Sequence, residues 1–158
     1  MRVVAKGFAQ KPGIDYTDTY APVTRMESTR AILHIGTSLD LEIHQMDVKT
    51  AFLHGDLEEE VYMEQPKGMK EPRKESWVCY MCKTLYGLMQ AAHAWNLHLH
   101  RAMIDIGYVR ITADHCIYMG KTAEGSSIMA IHVDDMCAVA NGEAQRTTWD
   151  ILQSGQPW

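Results

Sequence analysis

The sequence predicts an α+β domain, an antiparallel sheet with helices on one face. Three observations lead there. Short apolar runs with strand character alternate with two stretches in which apolar residues recur at helical spacing. The last two runs, Ser127–Val133 and Met136–Ala140, flank a tight turn and read as a hairpin. A chain of 158 residues with 46% hydrophobic content is long enough for one sizeable core.

Taken in order, residues 2–10 alternate enough to form a strand, which Lys11-Pro12-Gly13 ends by removing a donor and supplying a turn. Thr24-x-x-Glu27 has the pattern of a capping box. It opens a helix from Glu27 to Leu39 with Ala31, Ile32, Ile35 and Leu39 as its apolar stripe. Leu41–Asp47 is a strand, Val48–His54 a helical turn closed by Gly55, and Glu60–Glu64 a strand leading to Pro66. Lys67–Ser76 carries Gly68, Pro72 and a run of charges without periodicity, as expected of a mobile surface loop. Trp77–Met81 reads as a buried strand. Trp95, Leu99, Ala102 or Met103, and Ile106 then define a helix from about Ala91, with Gly107 as its C-terminal cap. Cys116–Met119 and Ser127–Val133 are strands around Gly120–Gly125, and Met136–Ala140 completes the hairpin.

The most informative feature is His132-Val133-Asp134-Asp135 at that hairpin turn. Adjacent carboxylates repel and raise each other's pKa, so a rigid turn keeps such a pair mainly where a cation is expected. A third carboxylate, Asp47, projects from the end of the Leu41–Asp47 strand. One plus two carboxylates on strand ends suit a pair of Mg²⁺ ions, which take hard oxygen ligands and share their other positions with water and phosphate.

Composition narrows the partners. The net charge of −5 lacks the broad basic excess that drives non-specific nucleic-acid binding, so any grip on a nucleic acid must be local or come from elsewhere. No run approaches the roughly 18 apolar residues of a membrane span, and the N-terminus opens on Arg2 and Lys6 without a signal-peptide core. A soluble, intracellular, cytoplasmic protein with no membrane partner is expected. Cys79-x-x-Cys82 has half-site zinc spacing, but no second close Cys/His pair completes it, so reduced core thiols are expected.

Several blocks, in this order along the chain, resemble the reverse transcriptase of copia-type LTR retrotransposons. They are Arg2–Gln10, Gly13-Ile14-Asp15-Tyr16, Tyr20-Ala21-Pro22-Val23, Gln45–Phe52, Glu60–Pro66, Leu85-Tyr86-Gly87-Leu88 and Val133-Asp134-Asp135. The match covers roughly residues 2–140, and several ordered blocks are far more specific than a lone Asp-Asp pair. The resemblance implies a palm fold with part of the fingers over 1–140, followed by a divergent tail over 141–158. Within that tail Gln145–Leu152 has the makings of a short helix. The thumb is absent from the residues read, so a fragment or decayed copy is expected.

It also implies roles for individual residues. Asp47, Asp134 and Asp135 match the carboxylates that bind the catalytic metals, with Asp135 the one most suited to an outer-shell position. The cofactor would be two Mg²⁺ ions, with Mn²⁺ able to substitute. Phe52 resembles the aromatic gate whose flat ring leaves no room for a 2′-hydroxyl; an ordinary core Phe is the competing reading. Arg2 and Lys6 would lie on a fingers strand facing the incoming triphosphate, or on a solvated edge. Gln90 falls where the family has a Gln near the nucleotide sugar. The partners would be an RNA or DNA template-primer, a dNTP and other segments of a retroelement polyprotein, and the location the cytoplasm or a retroelement particle.

Two departures stand out. The family pattern Lys-Gln-Ala-Pro-Arg-Ala-Trp reads here Met89-Gln90-Ala91-Ala92-His93-Ala94-Trp95, which removes two phosphate partners. His132 stands where the family has Tyr. The expected function is therefore an RNA-directed DNA polymerase region inactive as an isolated piece. The alternative is a catalytically inert remnant that binds nucleic acid or a protein partner.

Overall fold

The structure, a computed structural model, describes residues 3–122 and 125–141. It divides into two compact units, one of residues Met1–Ala21 and Phe52–His98, the other of Pro22–Ala51 and Leu99–Trp158. The expected tail helix at Gln145–Leu152, and Arg2, lie outside the described residues.

The second unit is built on a five-stranded, wholly antiparallel sheet. Its strands are β1 (Glu42–Asp47), β4 (Val109–Arg110), β5 (Ile117–Thr122), β6 (Gly125–His132) and β7 (Asp135–Ala140), in the order β1-β7-β6-β5-β4. Helix α1 (Met26–Ser38) lies on the face that carries Ile117, Ala130 and Val139, where Ile32 completes a buried cluster. The helix approaches closely at Gly36, where a Cβ would stand 2.9 Å from Val139 Cγ1.

Helices on one face was the expectation, and the second unit departs from it. Tyr118 follows Ile117 in β5 and so points to the other face. There its hydroxyl lies 3.1 Å from His100 Nδ1 on helix α2 (Ala91–Asp105) and accepts a bond from Arg110 Nε at 3.2 Å. Leu99 and Met103 of α2 are buried as well. The reason is in the strands themselves: Met129–Ile131 and Ala138–Ala140 are buried residue after residue, and a strand that is apolar on both faces needs cover on both.

Two details of α1 also differ. The capping box does not form: the N-cap residue is Arg25, without a side-chain cap, and the Thr24 hydroxyl is buried with no hydrogen-bond partner. Instead the carboxylate of Asp114 accepts the Arg25 N–H at 3.1 Å and the Cys116 N–H at 3.0 Å. The buried stripe runs through Ile32 and Gly36, while Ala31, Ile35 and Leu39 are exposed. Sequence periodicity cannot choose between adjacent stripes when a glycine, invisible on a hydrophobicity scale, marks the contact.

The first unit contains an antiparallel ribbon of β2 (Asp56–Glu64) and β3 (Val78–Lys83), with Tyr62 opposite Tyr80. Val61 is buried, but Val78 and Tyr80 are exposed, so β3 is a one-sided strand rather than a buried one. The expected core thiols are correspondingly mixed, with Cys116 buried, Cys79 and Cys137 half-buried and Cys82 exposed. The loop after β2 is held by the Gln65 amide, which donates to the Lys74 and Trp77 carbonyls and accepts the Glu71 N–H at 2.8 Å.

The expected N-terminal strand is absent over the described residues. Residues 3–6 are irregular and Gly7–Ala9 forms a 3₁₀ turn. The Ala5 N–H donates to the Tyr86 carbonyl at 2.8 Å, and Gly87, at φ +94°, would place a Cβ 2.2 Å from the Ala5 oxygen. A single backbone crossing at a glycine replaces a ladder.

Candidate active site

Strand β1 and the β6–β7 hairpin bring the predicted carboxylates to one end of the sheet. Asp47 and Asp135 are Cα partners in the β1–β7 ladder, and His132 faces Asp135 across the hairpin. The Val48 N–H donates to the Asp134 carbonyl at 3.0 Å, which ties the residue after Asp47 to the turn. The turn itself is strained. Val133 has φ +60°, a left-handed conformation that a β-branched residue adopts at a cost of about 1–3 kcal/mol. Two-residue hairpins need positive φ, usually from glycine, so the sequence here keeps valine against the turn's preference.

Paired residues of an antiparallel ladder share a face, with Cβ atoms about 5 Å apart, and like charges there repel. Asp47 and Asp135 are exposed and Asp134 is half-buried. Asp135 Oδ1 accepts a bond from the Gln45 amide at 3.3 Å. Among the described residues no three His, Cys, Asp or Glu side chains converge as a ready metal cluster. The donor set nevertheless suits a divalent cation, since hard carboxylate oxygens from a ladder rung and its adjoining turn stand at one edge. An open cavity of about 460 Å³ adjoins them, running between α1 and the sheet. Its walls are Thr24, Leu33 and Ile43 on the apolar side, with Gln45, His132 and Asp135 at the polar rim.

Gln45 was not anticipated, yet a signal existed. It stands two residues before Asp47 in β1 and therefore on the same face.

The other predicted residues belong to the first unit. Phe52 is half-buried, with its ring 5.1 Å from that of Tyr86, and its carbonyl accepts a bond from the Thr84 hydroxyl. Gln90 is 2% exposed, and its amide is engaged at both ends: Oε1 accepts from Gln10 at 3.0 Å and Nε2 donates to the Asp15 carbonyl at 2.9 Å. Lys6 is exposed. His93 lies with Nδ1 2.5 Å from the Tyr20 carbonyl.

The pattern of the family described as reverse transcriptase (RNA-dependent DNA polymerase) matches residues 1–148. The chain belongs to that family, whose members in general use divalent metal. Among individual relatives it is similar to the retrovirus-related Pol polyprotein from transposon TNT 1-94 of Nicotiana tabacum, 48% identical over 139 residues. It is also similar to the Pol polyprotein from transposon RE1 of Arabidopsis thaliana, 37% identical over 140 residues. These matches cover 87% and 89% of the chain but 10% of each relative. A putative transposon Ty5-1 protein of Saccharomyces cerevisiae is 36% identical over 95 residues, 60% of this chain and 31% of the yeast protein. No solved structure matches. Among the described residues, no helix is long and apolar enough to cross a membrane.

Proposed function

We propose that the chain carries the metal-binding part of an RNA-directed DNA polymerase and serves template-directed nucleotidyl transfer within a retroelement polyprotein. The observation that carries this reading is the ladder rung pairing Asp47 with Asp135, next to the turn that presents Asp134. That rung joins positions 88 residues apart in sequence, and this supports the reading.

In this reading the five-stranded sheet is a palm, the β2–β3 unit belongs to the fingers, and residues 141–158 form a divergent tail. Two Mg²⁺ ions, or Mn²⁺ in their place, would lower the pKa of a primer 3′-hydroxyl and neutralise the triphosphate. Asp47 and Asp134 would hold them. Asp135, already bonded to Gln45, would orient the site from beside it. Phe52 would exclude a ribose 2′-hydroxyl, Lys6 and Arg2 would face the triphosphate, and Gln90 would act beside the nucleotide through the loop it anchors. The partners would be an RNA or DNA template-primer, a dNTP and the other segments of a Pol polyprotein.

The test is Mn²⁺ binding by the purified chain, followed by electron paramagnetic resonance. Weak binding that is lost in both Asp47→Asn and Asp134→Asn is expected. Binding unaffected by either substitution would sink the assignment.

A second reading, an inert remnant that binds nucleic acid or a partner, draws on His132 at the closing rung and His93 in place of the family's Arg. It predicts primer binding without extension even in a polyprotein of full length.

A further inference from the structure

The β2–β3 ribbon presents a face that the polymerase reading leaves unused. Glu60, Tyr62 and Glu64 alternate along β2 and all three are exposed. Tyr80 stands directly opposite Tyr62, with ring centroids 5.6 Å apart, and each tyrosine is 58% exposed. Val78, opposite Glu64, extends the same patch, at 53% exposure. Paired aromatic rings usually stabilise a sheet by being covered, so two that remain this open offer contact area.

We propose that this face docks an arginine- and lysine-rich polypeptide segment, held by the Tyr62–Tyr80 ring pair and the flanking carboxylates of Glu60 and Glu64. Charge chooses the occupant. Carboxylates on both sides of the ring pair repel phosphates, which argues against a nucleic-acid strand. They would also confront each other across a two-fold contact between copies of this chain. A guanidinium or ammonium group satisfies both halves of the face, resting on a ring while it pairs with a carboxylate. The chain shows this chemistry on itself just before β3, where Lys74 Nζ lies 4.9 Å from the Trp77 ring centre. The inference is independent of the metal site, which belongs to the other compact unit.

Titration of the full 158-residue chain with a short polyarginine peptide, read by fluorescence anisotropy, tests it. Tyr62→Ser/Tyr80→Ser leaves the net charge unchanged and should weaken binding about tenfold, as should Glu60→Gln/Glu64→Gln. Asp40→Asn/Asp105→Asn removes the same charge from exposed positions elsewhere and should leave affinity within about twofold. Circular dichroism checks that the variants fold, and the glutamate pair gives the answer if the tyrosine pair does not. Equal loss in the Asp40/Asp105 control, or none in the tyrosine variant, would overturn the proposal. So would a dimer that dissociates on Tyr62→Ser/Tyr80→Ser, since it would assign the face to self-association.

Discussion

The Asp114 carboxylate accepts the Arg25 backbone N–H at 3.1 Å across 89 residues of sequence and so caps a helix from another part of the chain. Burial pushes its pKa up, but bonds from the Cys116 and Arg25 N–H groups and the Ser28 hydroxyl outweigh that and hold it below the usual carboxylate range. Replacement by Ala should cost about 1–2 kcal/mol, because a helix-terminal donor is orphaned, and Asn should cost less. Because the folded pKa is depressed, the contribution is complete above the unfolded value near 4 and is lost as pH falls through the folded one. Urea unfolding from pH 7 to 3 should show the native chain losing stability in acid, with Asp114→Asn losing less.

Two histidines act at higher pH. Burial lowers the pKa of His98, helped by the nearby Lys83 ammonium, and lowers that of His100, helped by Arg110. The unfolded chain therefore takes up protons first as pH falls through about 6.5, and stability drops until the folded values are passed. Unfolding free energy should rise from pH 5.5 to 7.5. A His98→Gln/His100→Gln variant with the same slope would exclude these groups as the cause.

How far this was legible in advance depends on the kind of signal. The hairpin, both helices and the β1 strand follow from periodicity, because apolar spacing directly reflects what a packed face requires. The meeting of Asp47 with the Asp134–Asp135 turn came from matching ordered blocks, since no local pattern encodes which strands pair. Thr24-x-x-Glu27 misled because the box is a local rule and Asp114, far along the chain, supplied a better acceptor. The strand expected over residues 2–10 failed for a similar reason: Gly87 permits a close crossing that propensity does not register. Cover on both sheet faces is readable from the continuous apolar runs Ile128–Ile131 and Met136–Ala140, because a strand apolar at successive positions exposes apolar side chains on both faces.

Phe52 offers a sharper functional test. Its ring is half-buried against Tyr86, so truncation removes both packing and any steric gate. If the ring is a gate, Phe52→Val in a Pol polyprotein of full length should raise ribonucleotide incorporation relative to deoxynucleotide by at least about fivefold, since a removed clash changes selectivity by about 1 kcal/mol or more. A uniform loss of both activities, with the ratio unchanged, would reduce Phe52 to a packing residue.

The last expectation concerns the polymerase reaction itself. Extension requires the primer terminus to be held within near-attack distance of the α-phosphate, and a misplacement of about 1 Å can cost on the order of 10²-fold. In this chain His132 occupies the closing rung beside Asp135, and Met89 and His93 replace two cations of the family pattern. The net charge of −5 adds no general attraction for a duplex. The purified 158-residue chain should therefore bind a template-primer weakly, with affinity that falls steeply with salt, and should not extend it. Restoring His132→Tyr, Met89→Lys and His93→Arg within a full-length Pol polyprotein should raise extension, and Asp134→Asn in that background should lower it by about 10²–10³-fold, the several kcal/mol a metal contact supplies. Extension by the unmodified chain alone, abolished by Asp134→Asn, would show that the three carboxylates and their sheet suffice and that the replaced residues are not needed to position the primer.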